Sequence, residues 1–416
     1  MNKIKIRTLE AIFIFALLFS LFFIIHKLDK DYEVEPSERI RALPYVSYAI
    51  GDKKKADIDM GAKYYDEEGA YKGFNIYNPD SFPEAYLVNM QGEVIYKWKS
   101  NIGDWQHVEL CSDGGLLVID PHDFLIRLDQ HSNVLWTKPI RAHHDLDIAD
   151  NEDIYVIADE FKMVVDSFQL TIIHDDCIVV LTKLGKIKEK YSLYKILKRI
   201  IPSNIAGWAP KIDYNQEKKP TRDLSGKFIP DDYTYYDVFH ANSIEIIDRD
   251  IEGVCSRGDL LVSLCHLDLI GIVNIKKQKL VWHWGEGELQ GPHHASLLKS
   301  GRIMVFDNGL KRKYSRVLEI DPLIKKIVWE YKADIPDKFF SSSRGGSQRL
   351  PNGNTLITES DKGHVFEITS WGDIVWEFYT HKVMDDDINH KRSALYRMTR
   401  IVADDELLRF MVQLNK

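Results

Sequence analysis

The 416-residue sequence is poor in cysteine: Cys111, Cys177, Cys255 and Cys265 are too few and too scattered for a disulfide-stapled scaffold, and no C-x-x-C pair suggests zinc or redox work. One bridge in an oxidising compartment fits this count, and buried free thiols are the simpler expectation. There is no surplus of positive charge. Lys and Arg number 55 against 63 Asp and Glu, a formal net charge of -8, which excludes nonspecific binding to a phosphate backbone and sets nucleic acid aside as a partner. Biased or low-complexity stretches are missing as well, and 44% hydrophobic with 28% charged residues is the composition of an ordinary globular protein. No H-E-x-x-H or comparable local metal pattern occurs, which argues against a metal site.

The marked apolar run is confined to the N-terminus, where Lys3, Lys5 and Arg7 precede the uncharged residues 11 to 25. That run is short against the roughly 20 residues of a full span, but Leu9 and a snorkelling Lys27 extend it. No small-x-small cleavage site follows, so residues 1–30 are expected to be an uncleaved signal anchor, one transmembrane helix with its basic flank in the cytoplasm. The rest of the chain is then exported from a bacterial inner membrane into the periplasm or beyond the cell.

What the sequence has in plenty is repetition. A short cassette ending in aromatics recurs six times: "GEVIYKW" (92–98), "SNVLWTK" (132–138), "GKIKEKY" (185–191), "QKLVWHW" (278–284), "KKIVWEY" (325–331) and "GDIVWEF" (372–378). Most copies follow an alternating run such as "SRVLEIDP" and precede an apolar run such as "GLLVID" or "RIMVFD", which reads as several short strands joined by tight turns. Several strands per 40 to 50 residues, with an aromatic at fixed phase, predict propeller blades. The fold class is therefore all-β, a six-bladed propeller over residues 81–400, with 31–80 a linker and N-terminal extension and 401–416 a tail. The one long interval between cassettes holds an insertion at about 190–236, which contains the basic amphipathic stretch "YSLYKILKRII".

The polar residues have a phase too. His107, His144, His293 and His294 each follow a cassette by six to ten residues, just ahead of the next strand, and His240 and Arg344 occupy corresponding connections. Successive blades are related by rotation about one axis, so equivalent positions should form a ring around it. His122, His131, His174, His283, His364, His381 and His390 lack that phase and read as structural or exposed. A ring of imidazoles with a guanidinium suits two chemistries. Metal ligation would need a carboxylate, for which Asp145 or Asp237 is placed. Anion handling would use one neutral imidazole as nucleophile or base, with charged neighbours holding an oxyanion.

The ordered series "HHD" (143–145), "DVFHANS" (237–243), "VWHWGEG", "HHASLLKSGRIMVFDNG", "SRVLEIDP" and "GGSQRLPNGNTLITES" resembles the bacterial arylsulfotransferases that do not use phosphoadenosine phosphosulfate. The resemblance runs from about residue 80 to 400. It implies a cofactor-free enzyme that moves a sulfuryl group from a phenolic sulfate donor to an acceptor hydroxyl, by a ping-pong route through a sulfated histidine. Carried over by motif, the nucleophile is His293, which fits the offset to the "FDNG" strand better than His294, one residue closer to Phe306. His240 and Asn242 lie in the "H-x-N-S" motif, and the "HHD" helper is His144 with His143 as its rival. The family pattern has an arginine where this chain has Cys265; His266 beside it or Arg344 from another blade would have to supply the charge. The resulting site is His293, His240 and His144 as catalytic groups, with His294, His143, Arg344, His266, Asn242 and His107 binding substrate. An anchored binding scaffold with a degenerate site is the alternative, and a homodimer is allowed for.

Overall fold

The computed structural model describes residues 60–212, 234–386 and 389–402. The expected anchor at 1–30, most of the 31–80 linker, the middle of the insertion and residues 403–416 of the tail lie outside the described residues. Among the described residues no helix is long and apolar enough to cross a membrane.

Six sheets are each built on four antiparallel strands running from the innermost to the outermost position, and in the third the short strand Tyr235–Asp237 also pairs in parallel with Gln169–Leu181. The outermost strands, Val94–Lys99, Val134–Lys138, Ile187–Ser192, Lys279–Trp284, Lys326–Tyr331 and Ile374–Tyr379, are the six aromatic cassettes. The second strands, such as Leu116–Asp120, Leu260–Leu264, Ile303–Asp307 and Thr355–Glu359, are buried along their whole length. That burial explains their continuous apolar runs, since a blade is covered on both faces by its neighbours. One apolar cluster fills each interface between adjacent blades.

The aromatic repeat has a physical cause. Indole N–H groups reach from one blade to a backbone carbonyl in a turn of the next: Trp98 to Gly114 at 3.1 Å, Trp136 to Lys183 at 3.2 Å, Trp282 to Pro322 at 2.9 Å, Trp329 to Ser370 at 3.2 Å and Trp376 to Met90 at 2.8 Å. A tryptophan at that phase thus buries a large ring and satisfies its one polar atom in the same step. The third cassette has no tryptophan. There the interface is filled by the short helices Leu193–Leu197 and Ile205–Trp208, which bury Leu193, Ile196, Leu197 and Ile205. The stretch expected to form a basic amphipathic element therefore turns its apolar side into the core.

The ring closes twice. The late strand Leu395–Val402 is the innermost strand of the first blade, paired with Gly73–Pro79, and the early strand Gly61–Tyr65 adds a fifth strand to the outer edge of the sixth blade. The propeller accordingly begins before the expected residue 81 and includes residues 401 and 402. Early and late chain segments share sheets, a pairing that no local pattern announces. All four cysteines are buried free thiols, so the single bridge allowed for is not formed.

Candidate active site

The innermost strands His107–Leu110, Ala142–Ile148, Ala241–Ile246, Pro292–Leu297, Gly346–Arg349 and Leu395–Val402 surround the axis. At or just before the start of four of them a non-glycine residue has a left-handed backbone: His144 at φ 61°, His240 at 48°, His294 at 46° and Arg344 at 56°. The pairing register also slips there, between Ala241 and Ser243 and between His293 and Ser296. Each such residue costs on the order of 1–3 kcal/mol, and four at one end of one axis are what a site that must aim its side chains would require. Gly345 follows Arg344 at φ 102°, and a Cβ there would lie 2.4 Å from the Phe306 ring, so only glycine lets this connection pass.

His293 is fixed by the "FDNG" motif. Both amide protons of Asn308 are used on main-chain carbonyls, those of Ser341 at 2.9 Å and Arg344 at 2.6 Å, so its Oδ1 faces His293 Nδ1 at 2.8 Å. Nδ1 must then carry the proton, and Nε2 is left with a lone pair, which accepts a hydrogen bond from the Arg344 amide at 3.2 Å. Burial, helped by the Arg344 charge, lowers the His293 pKa to about 4, so the ring is neutral. Its neighbour points elsewhere: His294 Nδ1 accepts from the Ser347 amide at 3.1 Å, and its ring lines a cavity of about 690 Å³ together with Glu109, Asp145, Asp147, Glu245 and Arg397.

The helper histidines form a chain. Asp237 Oδ2 lies 2.9 Å from His240 Nδ1, which places the His240 proton on Nδ1 and its lone pair on Nε2. His144 Nε2, 3.1 Å from that lone pair, must be the donor, and His144 Nδ1 in turn faces His143 Nδ1 at 2.7 Å. Burial holds His144 and His240 well below the ordinary imidazole pKa, with the neighbouring His143 and His266 adding to it. His266 stacks on His240 with ring centroids 4.9 Å apart and donates from Nδ1 to the Asp237 carbonyl at 3.0 Å. Burial opposes its charge, yet the Asp237 carboxylate outweighs that and raises its pKa. Cys265 is buried, with its Sγ against Gly291.

The residues read from the sequence fall into two groups. His143, His144, His240 and His266 touch in series, and the Arg344 charge bears on His293. Arg344 pairs with Asp80 at 3.1 Å. Asn242 donates to the Pro292 carbonyl at 2.9 Å and so braces the strand that carries His293. His107 is set apart, 3.2 Å from Arg397 and 3.3 Å from Asp145, and Arg397 also holds Asp145. Sequence reasoning missed Asn308, although it lies inside a quoted motif, and Arg397, which no repeat phase marks.

His122 and His174, read as structural or exposed, close on Asp159 at 2.7 Å each, with Arg141 on the same carboxylate. Among the described residues the groups able to hold a metal are His122, Asp159 and His174, and Asp237, His240 and His266. In the first, the Arg141 guanidinium already neutralises the carboxylate. In the second, Asp237 is committed to orienting two imidazoles.

Three comparisons bear on this geometry. Among solved structures, a protein of unknown function from Bacteroides caccae matches at 12% identity with TM-score 0.49, over 79% of this chain and 98% of that one. A streptogramin B lyase matches at 12% identity with TM-score 0.45 over 83% and 96%, and AztD from Citrobacter koseri at 10% identity with TM-score 0.41 over 80% and 98%. Among curated proteins none matches. The sequence model of the arylsulfotransferase (ASST) family matches residues 107–381, a span that holds His107, His143, His144, His240, His266, His293 and Arg344. With well over half of its length matched, and with the motif histidines inside that match, this chain belongs to the arylsulfotransferase family.

Proposed function

We propose that the chain transfers a sulfuryl group from a phenolic sulfate ester to an acceptor hydroxyl in two steps, with His293 carrying the group between them. The observation that carries this reading is the unprotonated Nε2 of His293, which accepts only from the Arg344 amide while Asn308 holds the proton at the other nitrogen. In the first step the Nε2 lone pair forms a bond to sulfur as the bond from sulfur to the aryl oxygen breaks. The charge that remains on the ring is met by Asn308 Oδ1 at Nδ1–H. The departing phenolate takes a proton from the His144 and His240 pair, whose shared proton lies between their Nε2 atoms. The Arg344 amide, released from Nε2, turns to a sulfuryl oxygen, and the Arg344 guanidinium offsets the charge on the group in transfer. In the second step the acceptor hydroxyl gives its proton back to the pair and bonds to the same sulfur as the bond from sulfur to His293 Nε2 breaks and the lone pair returns to the ring. Sulfuryl transfer, like phosphoryl transfer, is expected to be a loose in-line displacement, so positioning and charge supply most of the catalysis.

The donor ester brings its own activated group, so no nucleotide donor enters the scheme. That suits the exported, membrane-anchored placement expected from residues 1–30, which belongs to the same proposal. The test is intact mass of the purified protein after incubation with 4-nitrophenyl sulfate and no acceptor. A gain of one sulfuryl group with a burst of nitrophenol is expected, and unchanged mass with no nitrophenol would sink the reading. The rate of sulfation should also be flat with pH down to about 4, where protonation removes the Nε2 lone pair. An acid limb near the ordinary imidazole value of about 6.5 would assign the nucleophile to a different, less buried ring.

A further inference from the structure

Behind the catalytic pair, three buried polar atoms face one another without a hydrogen bond. They are His143 Nε2, Asp176 Oδ1 and His174 Nδ1, with the first two 3.2 Å apart and the last two 3.9 Å apart. Buried polar atoms are paired in nearly all native structures, so three together call for an explanation. The tautomers provide one. His240 gives its Nδ1 proton to Asp237, His144 gives its Nε2 proton to His240, and His143 gives its Nδ1 proton to His144. A neutral His143 would then turn a lone pair toward the Asp176 carboxylate. The contact is sound only if one more proton lies between Nε2 and Oδ1.

We propose that His144, His143, Asp176 and His174 form a buried proton store, which lends a proton to the first phenol and recovers it from the acceptor. The inference rests on the sulfuryl-transfer reading. As the bond from sulfur to the aryl oxygen breaks, the phenolate takes the His144 Nε2 proton. His144 takes the Nδ1 proton of His143, and His143 takes at Nε2 the proton it shares with Asp176. His174, whose second nitrogen is held by Asp159 at 2.7 Å, turns its Nδ1 proton toward Asp176 and replaces the positive charge that has moved away. When the acceptor hydroxyl attacks, every shift runs backwards, so protons balance over the cycle without solvent entering the site. Burial opposes a charge on His174, but Asp159 outweighs it and raises the pKa to about 10, so this ring carries a proton on both nitrogens at neutral pH. Asp176 Oδ2 accepts from the Ala241 amide at 2.7 Å, fixing the carboxylate against the strand that follows His240.

The store matters in proportion to how much the leaving phenolate needs a proton. Asp176→Asn keeps an acceptor for the Ala241 amide and removes the proton site; His174→Gln removes the charge behind it. For each, the rate of His293 sulfation is read by intact mass with two donors, 4-nitrophenyl sulfate, whose leaving group is stable as an anion, and phenyl sulfate, whose leaving group is not. Expected is a change of a few-fold with the nitrophenyl ester and a loss of about 100-fold with the phenyl ester, the scale of general-acid catalysis. Equal losses on both donors would mark the two residues as merely structural, and no loss on either would also overturn the store. Wild-type protein that gains no mass from either donor would instead remove the sulfuryl reading on which the store depends.

Discussion

His293→Asn is expected to lose the sulfuryl adduct entirely and to slow phenol release by about 10⁴-fold or more, the scale seen when a covalent nucleophile is removed. Asparagine keeps a polar side chain in the place of the ring but offers no lone pair on nitrogen to attack sulfur. The neighbouring substitution His294→Asn serves as the control, because the His294 ring bonds the Ser347 amide and lines the central cavity with Arg397. It is expected to keep the adduct and lose at most about tenfold in rate, through a weakened strand start. Intact mass and nitrophenol release measure both variants. If His294→Asn loses the adduct and His293→Asn keeps it, the nucleophile has been assigned to the wrong ring.

Arg400→Ala is expected to cost about 3–5 kcal/mol of stability, because it leaves a fully buried carboxylate without its partner. Arg400 lies on the closing strand Leu395–Val402 and pairs with Glu367 in the sixth blade, both side chains being 0% exposed. Its Nε donates to Asn75 Oδ1 at 2.7 Å, one Nη to the Tyr71 carbonyl at 2.7 Å, and the guanidinium lies 4.8 Å from the Trp376 ring centroid. One side chain therefore joins early chain, late chain and two blades. Thermal unfolding should move down by about 2–4 °C for each kcal/mol lost. The double variant Arg400→Met, Glu367→Leu should recover much of that loss, since a buried ion pair is often replaceable by apolar packing. A single variant that melts like wild type would show that the closure does not depend on this pair.

Read alone, the sequence determined the number of blades, because a blade is a local unit whose outer aromatic must recur each time the surface it clips recurs. Its repeat phase also marked His144, His240 and His293, but the same phase took in His107 and His294, which the fold turns toward Arg397 and Ser347. Composition argued against nonspecific nucleic-acid binding, and the free thiols were the simpler reading of four scattered cysteines. Only the tertiary structure decided the rest. Pairing of Gly61–Tyr65 and Leu395–Val402 with distant strands, the bond between Asn308 and His293, and the meeting of His122 and His174 on Asp159 are contacts across strands that no local pattern announces. His174 stands in a strand of one blade and carries no repeat phase, so its role depends on which carboxylates the fold brings to it. Periodicity reports on what a chain does locally and repeatedly, whereas a proton's position is set by single distances between side chains, and those exist only once the ring has closed.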